Sequence, residues 1–349
     1  MPFLLNTWYL AAWSDEVGGE TPLGRTIIER AVVMYRGADG ALLALQDRCP
    51  HRFAPLSAGR VEAGVLRCGY HGLAFGPDGA CVANPHGPVP ASARVRSYPA
   101  VDRHGAVWIW MGELNRADPD VIPDLGFIDR TAPEARVKGH LQSRAHYQLM
   151  VDNIMDLSHA DYLHPATLGG GINTRASSRV EESGADVKIC WEAHGDALPP
   201  VMDAQLPRPG QPGDFFNEVH WSAPGIMRQR VLFGPAGALA DAGQDSWTAH
   251  VMTPAGPDLT HYFFCHTSEA VSRDPSIAGM IRDILLQAFR GEDAPMLERQ
   301  QGVIGGDDFW SLKPVMLSID GGAVLARRRL DRMIADERAA ASERTDTHG

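Results

Sequence analysis

A chain of 349 residues with 44% hydrophobic and 21% charged side chains is composed like a folded protein of about two domains, which excludes a disordered or collagen-like polymer. Its net charge of −11 argues against a surface built for nucleic acid, and no apolar run reaches the roughly 18 residues of a membrane span. Five Cys are a sparse, odd set that fits a reducing cytoplasm, and the start MPFLLNTWYLAAW lacks the basic residues and cleavage site of an export signal.

The first 116 residues read as short strands punctuated by turns. Residues 25–35 carry a β-branched strand (Ile27, Ile28, Val32, Val33), Gly37-Ala-Asp-Gly40 turns the chain, and residues 41–46 resume it. Gly76-Pro-Asp-Gly79 is a second turn, and residues 107–111 (Val-Trp-Ile-Trp-Met) a short buried strand. The polar, proline-containing stretch 115–123 marks a boundary between domains 1–116 and 117–349. Beyond it the pattern is mixed α+β. Residues 147–163 have helical apolar spacing, and strands are expected around 187–191 and 261–265. Ile277, Met280, Ile281, Ile284, Leu285, Ala288 and Phe289 trace one helix face, with Asp274 as N-cap and Pro275 at the first position. A last helix over 323–338 should bury Val324, Leu330, Met333 and Ile334, and the small polar tail 339–349 should fray.

Chemistry begins at Cys49-Pro50-His51, followed after 16 residues by Cys68-Gly69-Tyr70-His71. Each pair mixes one thiolate with one imidazole, whereas a zinc finger joins Cys to Cys and His to His. Mixed pairs on two facing loops suit a [2Fe–2S] cluster with two Cys on one iron and two His on the other. Pro50, Gly69 and Gly72 would shape loops whose N–H groups point at the sulfides. Cys81, Cys190 and Cys265 lack ligand spacing and read as free buried thiols, and His86 and His104 as surface or turn residues.

A second set lies in the stretch from Met150 to His164, which carries His159 and His164 five apart. On an unbroken α-helix those side chains stand about 140° apart, so the helix must loosen or end after His159, and Pro165 helps His164 to swing back. Two His and one carboxylate on one face leave positions open for O₂ at a ferrous ion. Asp293 is the candidate third ligand, Glu292 its rival, and Pro295 distorts the helix that bears them. Asn153 and Asp156 lie on the His159 side at i−6 and i−3, where a carboxylate can orient a ligand imidazole.

Cys49-Pro-His51-Arg with Cys68-Gly-Tyr-His71-Gly resembles the Rieske motif of the oxygenase components of Rieske non-haem iron oxygenases. NxxDxxHxxxxH over residues 153–164, followed by the distal Asp293, resembles the same family's mononuclear iron motif. Asn6-Thr-Trp8-Tyr9, Asp152-Asn-Ile-Met-Asp-Leu and Ile319-Asp-Gly-Gly-Ala-Val-Leu-Ala-Arg-Arg look like the vanillate O-demethylase group, with dicamba demethylase and toluenesulfonate methyl-monooxygenase. The resemblance implies an all-β Rieske domain and a helix-grip (START-like) catalytic domain with an antiparallel sheet. It also implies a [2Fe–2S] cluster, mononuclear Fe(II) held by His159, His164 and Asp293, and O₂ as co-substrate. Asp156 would link His159 to His71 of a neighbouring copy, within a homotrimer.

The implied reaction is hydroxylation of an aryl methoxy or methyl carbon, an O-methyl group then leaving as formaldehyde. Electrons would come from a separate NAD(P)H-dependent flavin/iron–sulfur reductase, since no GxGxxG stretch is present. His250 matches a substrate-contacting position of the group and Gln229 approximately another. Arg228 and Arg230 are candidates for binding the carboxylate of an aromatic acid, or solvated strand residues. Phe215, Phe216 and Trp310 are pocket walls or core. Ring hydroxylation and N-demethylation are the alternative outcomes, and a Rieske electron carrier with a ligand-binding domain the alternative of another class.

Overall fold

In the computed structural model, which describes residues 3–346, the glycine-bounded turns of the first third reverse the chain as expected. The Gly40 N–H donates to the Gly37 carbonyl and the Gly79 N–H to Gly76, both at 3.0 Å. Residues 25–35, expected as one strand, are two. Leu23–Ile27 and Arg30–Arg36 pair antiparallel around Ile28 and Glu29, whose φ angles are 42° and 63°. Such a two-residue hairpin needs positive φ at both central positions and usually announces itself as Asn-Gly. Ile28 is only 4% exposed, so packing rather than backbone preference selects the turn.

Three small antiparallel sheets make up the unit Leu5–Ile122. Trp8–Trp13, Ala106–Trp110 and Ala100–Arg103 form the first, with Ala106–Trp110 buried along its whole length. Leu23–Ile27, Arg30–Arg36, Leu42–Gln46 and Ser97–Tyr98 form the second. Arg60–Glu62, Val65–Arg67, Ala74–Phe75 and Cys81–Ala83 form the third.

The other unit runs from Pro123 onward and includes residues 3–4. Its sheet has seven antiparallel strands in the order Val137–Ser143, Leu259–Ser268, Gln244–Gly256, Ile226–Pro235, Gly213–Ser222, Asp186–Asp196 and Ser177–Ser183. The strand nearest the boundary thus pairs with the last one, and the rest follow as a meander. One face of this sheet carries Ile189, Trp191, Val219, Trp221, Met227, Met252, Tyr262 and Phe264 into a single apolar core. Helix Tyr147–Met155 and the final helix Gly321–Asp346 pack into it. The final helix buries Ala323, Ala326, Leu330 and Ile334, while Val324 and Met333 stay half-buried. It continues to Asp346 rather than fraying from residue 339, and residues 347–349 lie outside the described part. Among the described residues no helix is long and apolar enough to cross a membrane.

The two helices are fastened by one guanidinium. Arg327, 3% exposed, donates from Nε and Nη2 to the Asp152 carboxylate (2.8 and 2.6 Å to Oδ2) and from Nη1 to Gln148 Oε1 at 3.1 Å. The Phe309 ring covers its other side at 4.0 Å. Asp152 and Arg327 belong to two of the segments that carry the vanillate O-demethylase resemblance, so those segments are partners in space.

Two outcomes follow for stability. Truncating Arg327 to Ala leaves the Asp152 carboxylate without its cation, and unfolding of this unit in urea should become easier by about 3 kcal/mol. A loss below about 1 kcal/mol would remove the fastening role. His146 and His250 are buried at 4% and 2% exposure, and burial pushes each pKa down to about 3. Unfolding returns them to about 6.5, so the unfolded chain binds more protons and stability falls as pH drops from 6.5 toward 5. The slope is up to about 1.4 kcal/mol per pH unit for each group. His164, raised by its acid neighbours, acts the other way: its contribution is present below about pH 6.5 and lost above. Urea midpoints of metal-free protein measured between pH 6.5 and 5 test this, and a flat profile contradicts it.

Candidate active site

Two loops of matching construction carry Cys49, His51, Cys68 and His71. In the first, the Cys49 N–H donates to the Ala54 carbonyl (2.9 Å) and the Phe53 N–H to Cys49 (2.9 Å). In the second, Cys68 donates to Leu73 (2.8 Å) and Gly72 to Cys68 (3.1 Å), at the same offsets. The fifth residue of each turn lies at positive φ, Gly72 at 76° and Phe53 at 59°. Glycine takes that conformation freely, whereas Phe53 holds it with its ring 68% exposed under the Arg48 guanidinium. Gly69 is required for a different reason: a Cβ there would stand 2.7 Å from the Ala58 carbonyl oxygen.

Both cysteines are buried at 2% exposure, with Cys49 and Cys68 within hydrogen-bonding reach of each other. Burial pushes the Cys49 thiol up, and the backbone N–H groups of His51 and Arg52 on its sulfur pull the other way. The His51 and His71 rings lie 4.5 Å apart at the outer edge, His51 exposed and His71 half-buried. Two thiolates inside and two imidazoles outside are the donor set of a Cys₂His₂ [2Fe–2S] cluster, and they fit it. His86 is an exposed turn residue, as expected, and contacts the His71 carbonyl. His104 also sits in a turn but is buried at 9% exposure. Cys81, Cys190 and Cys265 are free and buried.

In the other unit the helix expected over 147–163 breaks earlier than anticipated. Tyr147–Met155 ends at Asp156, which turns extended (φ −131°, ψ 105°) and caps the short 3₁₀ turn Leu157–His159. One α-turn, Ala160–Leu163, follows, and His164 leaves helical geometry (φ −120°, ψ 44°) ahead of Pro165. The break at Asp156 and the stop at His164 bring together imidazoles that a continuous helix would hold apart. Asp293 arrives from a helix that is also irregular. Ala278–Leu286 is α-helical, with Ile281, Ile284 and Leu285 of its apolar stripe half-buried and Met280 exposed, and Gln287–Asp293 widens into a π-helix before Ala294–Ile304 resumes with Pro295 in its first turn.

Asp293 is 5% exposed, and its Oδ1 lies 3.0 Å from His164 Nε2 and 3.5 Å from His159 Nε2. The three donor atoms fall within 4.8 Å of one another. Each imidazole has its other nitrogen against an acceptor: His159 Nδ1 meets the Asp156 backbone carbonyl, and His164 Nδ1 meets the Glu292 carboxylate. With a cation held between the two Nε2 atoms and Asp293, both rings would carry their proton on Nδ1. Burial would raise the Asp293 carboxyl, but the two imidazoles outweigh it and hold it down at about 2. Two imidazoles and one carboxylate, converging at this distance, fit a divalent first-row metal.

Asn153 acts on the carboxylate of the set: its Nδ2 donates to Asp293 Oδ1 at 3.1 Å. Asp156 meets His159 through its carbonyl rather than its carboxylate. That carboxylate accepts from the Ser158 N–H (2.9 Å) and hydroxyl (3.1 Å), as a cap must.

His250 and Gln229 share the core face of the sheet. The Tyr262 hydroxyl donates to His250 Nδ1 (2.6 Å), and His250 Nε2–H donates to Gln229 Oε1 (2.9 Å). The Gln229 amide in turn donates to Asn217 Oδ1 (3.3 Å). Phe289, from the π-segment, stands against both the His250 and Tyr262 rings at 5.8 and 5.0 Å. Arg228 and Arg230 are parted from this group, since strand alternation turns them to the opposite face. Arg230 pairs with Asp245 (2.8 Å) and Arg228 approaches Asp186 (3.6 Å), so neither offers a free guanidinium beside His250. Phe215 is core at 1% exposure, Phe216 is half-buried, and Trp310 bonds Asp331.

Sequence reasoning missed Tyr262 and Asp161. The Asp161 carboxylate takes the N–H groups of Gly171 (2.8 Å) and Thr174 (2.7 Å) and so pins the loop that follows His164. Nothing in its local sequence marks that long-range task.

Comparison with known proteins agrees with this geometry. Residues 7–99 match the Rieske [2Fe-2S] domain, and residues 143–336 match the vanillate O-demethylase oxygenase C-terminal domain. The chain is 36% identical to the oxygenase component of dicamba O-demethylase from Stenotrophomonas maltophilia, over 95% of this chain and 98% of that protein. It is 34% identical to a vanillate O-demethylase oxygenase subunit of a Pseudomonas species, over 97% of each. A crystal structure of dicamba monooxygenase bound to dicamba superposes with a TM-score of 0.88 at 35% identity, covering 97% of this chain and all of that one. Mixed Cys/His loops, a His/His/Asp convergence and these full-length likenesses together make the chain a member of the vanillate O-demethylase group of Rieske non-haem iron oxygenases, as an oxygenase component.

Proposed function

We propose that this chain is the terminal oxygenase of a demethylating system, hydroxylating an aryl methoxy or methyl carbon with O₂ and two electrons from a separate reductase. The convergence of His159, His164 and Asp293 on one point, in a chain that also carries the Cys49/His51 and Cys68/His71 loops, supports this reading. We assign Cys49, Cys68, His51 and His71 to the [2Fe–2S] group, and His159, His164 and Asp293 to a ferrous ion, within Rieske and catalytic domains divided near residue 116. Bound there, the two groups supply single-electron delivery and O₂ activation respectively. The protein holds both imidazoles in their metal-binding tautomer and orients Asp293 through Asn153. The hydroxylated O-methyl carbon is a hemiacetal that collapses to a phenol and formaldehyde without further help.

The substrate is a small arene, and the finer proposal is an aromatic acid. With Arg228 and Arg230 engaged on the opposite face, the proposed orienting group for its carboxylate is Gln229, whose amide keeps a second N–H beyond the one given to Asn217, with His250 held neutral by burial behind it. We further assign a homotrimer in which the cluster edge of one copy meets the Asp156 edge of the next. Aromatic side chains stand out beside both sets of ligands: Phe53 (68% exposed) and Tyr70 (61%) near His51 and His71, and Tyr162 (78%) between His159 and His164. Exposed aromatic rims of this kind suit an interface. The unpaired thiols fit a cytoplasmic setting.

With a surrogate reductase, methoxybenzoates should release formaldehyde in step with NADH consumed, and their methyl esters should show a higher KM at similar kcat. A cis-diol or ring phenol without formaldehyde contradicts the demethylase reading. Asp156→Asn preserves the cap, since Asn serves that position equally. Both metal centres should therefore survive while turnover falls by about 10- to 100-fold, the scale of a lost partner to the ligand His71 of the neighbouring copy. Normal turnover in this variant refutes the inter-copy link.

A further inference from the structure

Glu292 and Asp293 are consecutive residues whose carboxylates reach the same imidazole from opposite sides. Glu292 Oε2 hydrogen-bonds His164 Nδ1, and Asp293 Oδ1 faces Nε2 at 3.0 Å. Neighbours on a regular α-helix point about 100° apart, which does not suit a joint grip on one ring. The π-winding of Gln287–Asp293 widens the turn at this place, where both side chains meet His164. Glu292 keeps 27% of its side chain exposed, against 8% for Asp293, so it sits behind the ring while Asp293 faces the site.

The two imidazoles are also held differently. The acceptor for His159 Nδ1 is the Asp156 backbone carbonyl, present whatever the side chain. The acceptor for His164 Nδ1 is a side chain and a charged one. We propose that Glu292 is the positioning residue of the mononuclear centre: by accepting the Nδ1–H of His164 it fixes that ring's tautomer and rotation and keeps Nε2 directed at the metal. This inference rests on the assignment of His159, His164 and Asp293 as ligands, and it gives Glu292 an orienting task instead of the ligand task that its place in the sequence also permits.

The test uses full-length protein with its Rieske cluster loaded and the mononuclear site emptied by a mild chelator, then titrated anaerobically with Fe(II). Glu292→Ala should raise the Kd by about 10- to 100-fold, the usual effect of removing a partner of a ligand histidine. Glu292→Gln, whose Oε1 can accept the same N–H, should stay within about threefold of the unsubstituted protein. The visible spectrum of the Rieske cluster should be the same in all three, which separates an orienting role from general damage to the fold. An unchanged Kd in Glu292→Ala overturns the proposal, and so does a Glu292→Gln as weak as Glu292→Ala. Asp293→Ala should abolish tight Fe(II) binding. If it does not, the ligand assignment fails and the orienting role with it, a failure distinct from an unaffected Glu292→Ala.

Discussion

The site exists because two helices stop being helical at the right residues. A continuous helix through His159 and His164 would set their rings about 140° apart, and one through Asp293 would aim it by α-helical spacing alone. The extended backbone at Asp156, the departure at His164 and the π-turns of Gln287–Asp293 bring three donors within 4.8 Å. These irregularities forgo regular backbone hydrogen bonds, and neighbours make up the loss: the Asp156 carboxylate caps the new turn, and Asp161 pins the following loop. Arg327 holds Tyr147–Met155, the helix entering the first break, against the final helix.

The same logic governs the cluster loops. Twin turns with the same hydrogen-bond offsets present one Cys and one His each, a symmetry that suits a cluster drawing one ligand for each iron from each loop. Phe53 shows how little of that geometry depends on residue type. It occupies the left-handed position that Gly72 fills in the other loop, and it leaves its ring exposed.

The candidate ligands were legible because metal chemistry restricts both residue type and spacing: mixed Cys/His pairs and His-x₄-His before a distal Asp have few other uses, and the fold brings each set together. Strands bounded by Gly37–Gly40 and Gly76–Gly79 were legible for a similar reason, since the turn residues are specific. What stayed hidden depended on distant partners. Burial of Ile28 forces a hairpin that its sequence does not suggest, and capping the Ser158 N–H draws the Asp156 carboxylate away from His159. Alternation alone could have separated Arg228 and Arg230 from Gln229, but which face holds the site depends on packing across seven strands. Asp293 was the preferred ligand in sequence and Glu292 its rival, and their placement on Nε2 and Nδ1 gives the two carboxylates different tasks.

The proposed centre depends on His159, His164 and Asp293 enclosing one ion through both Nε2 atoms. Diffraction from crystals of the iron-loaded protein, recorded on either side of the iron absorption edge, locates iron without reference to activity. The account predicts one isolated anomalous peak bounded by those two nitrogens and the Asp293 carboxylate, and a close pair between the Cys49/Cys68 and His51/His71 edges. A vacant His159/His164 site in iron-replete crystals, or a peak on the His164 Nδ1 side against Glu292, would contradict it.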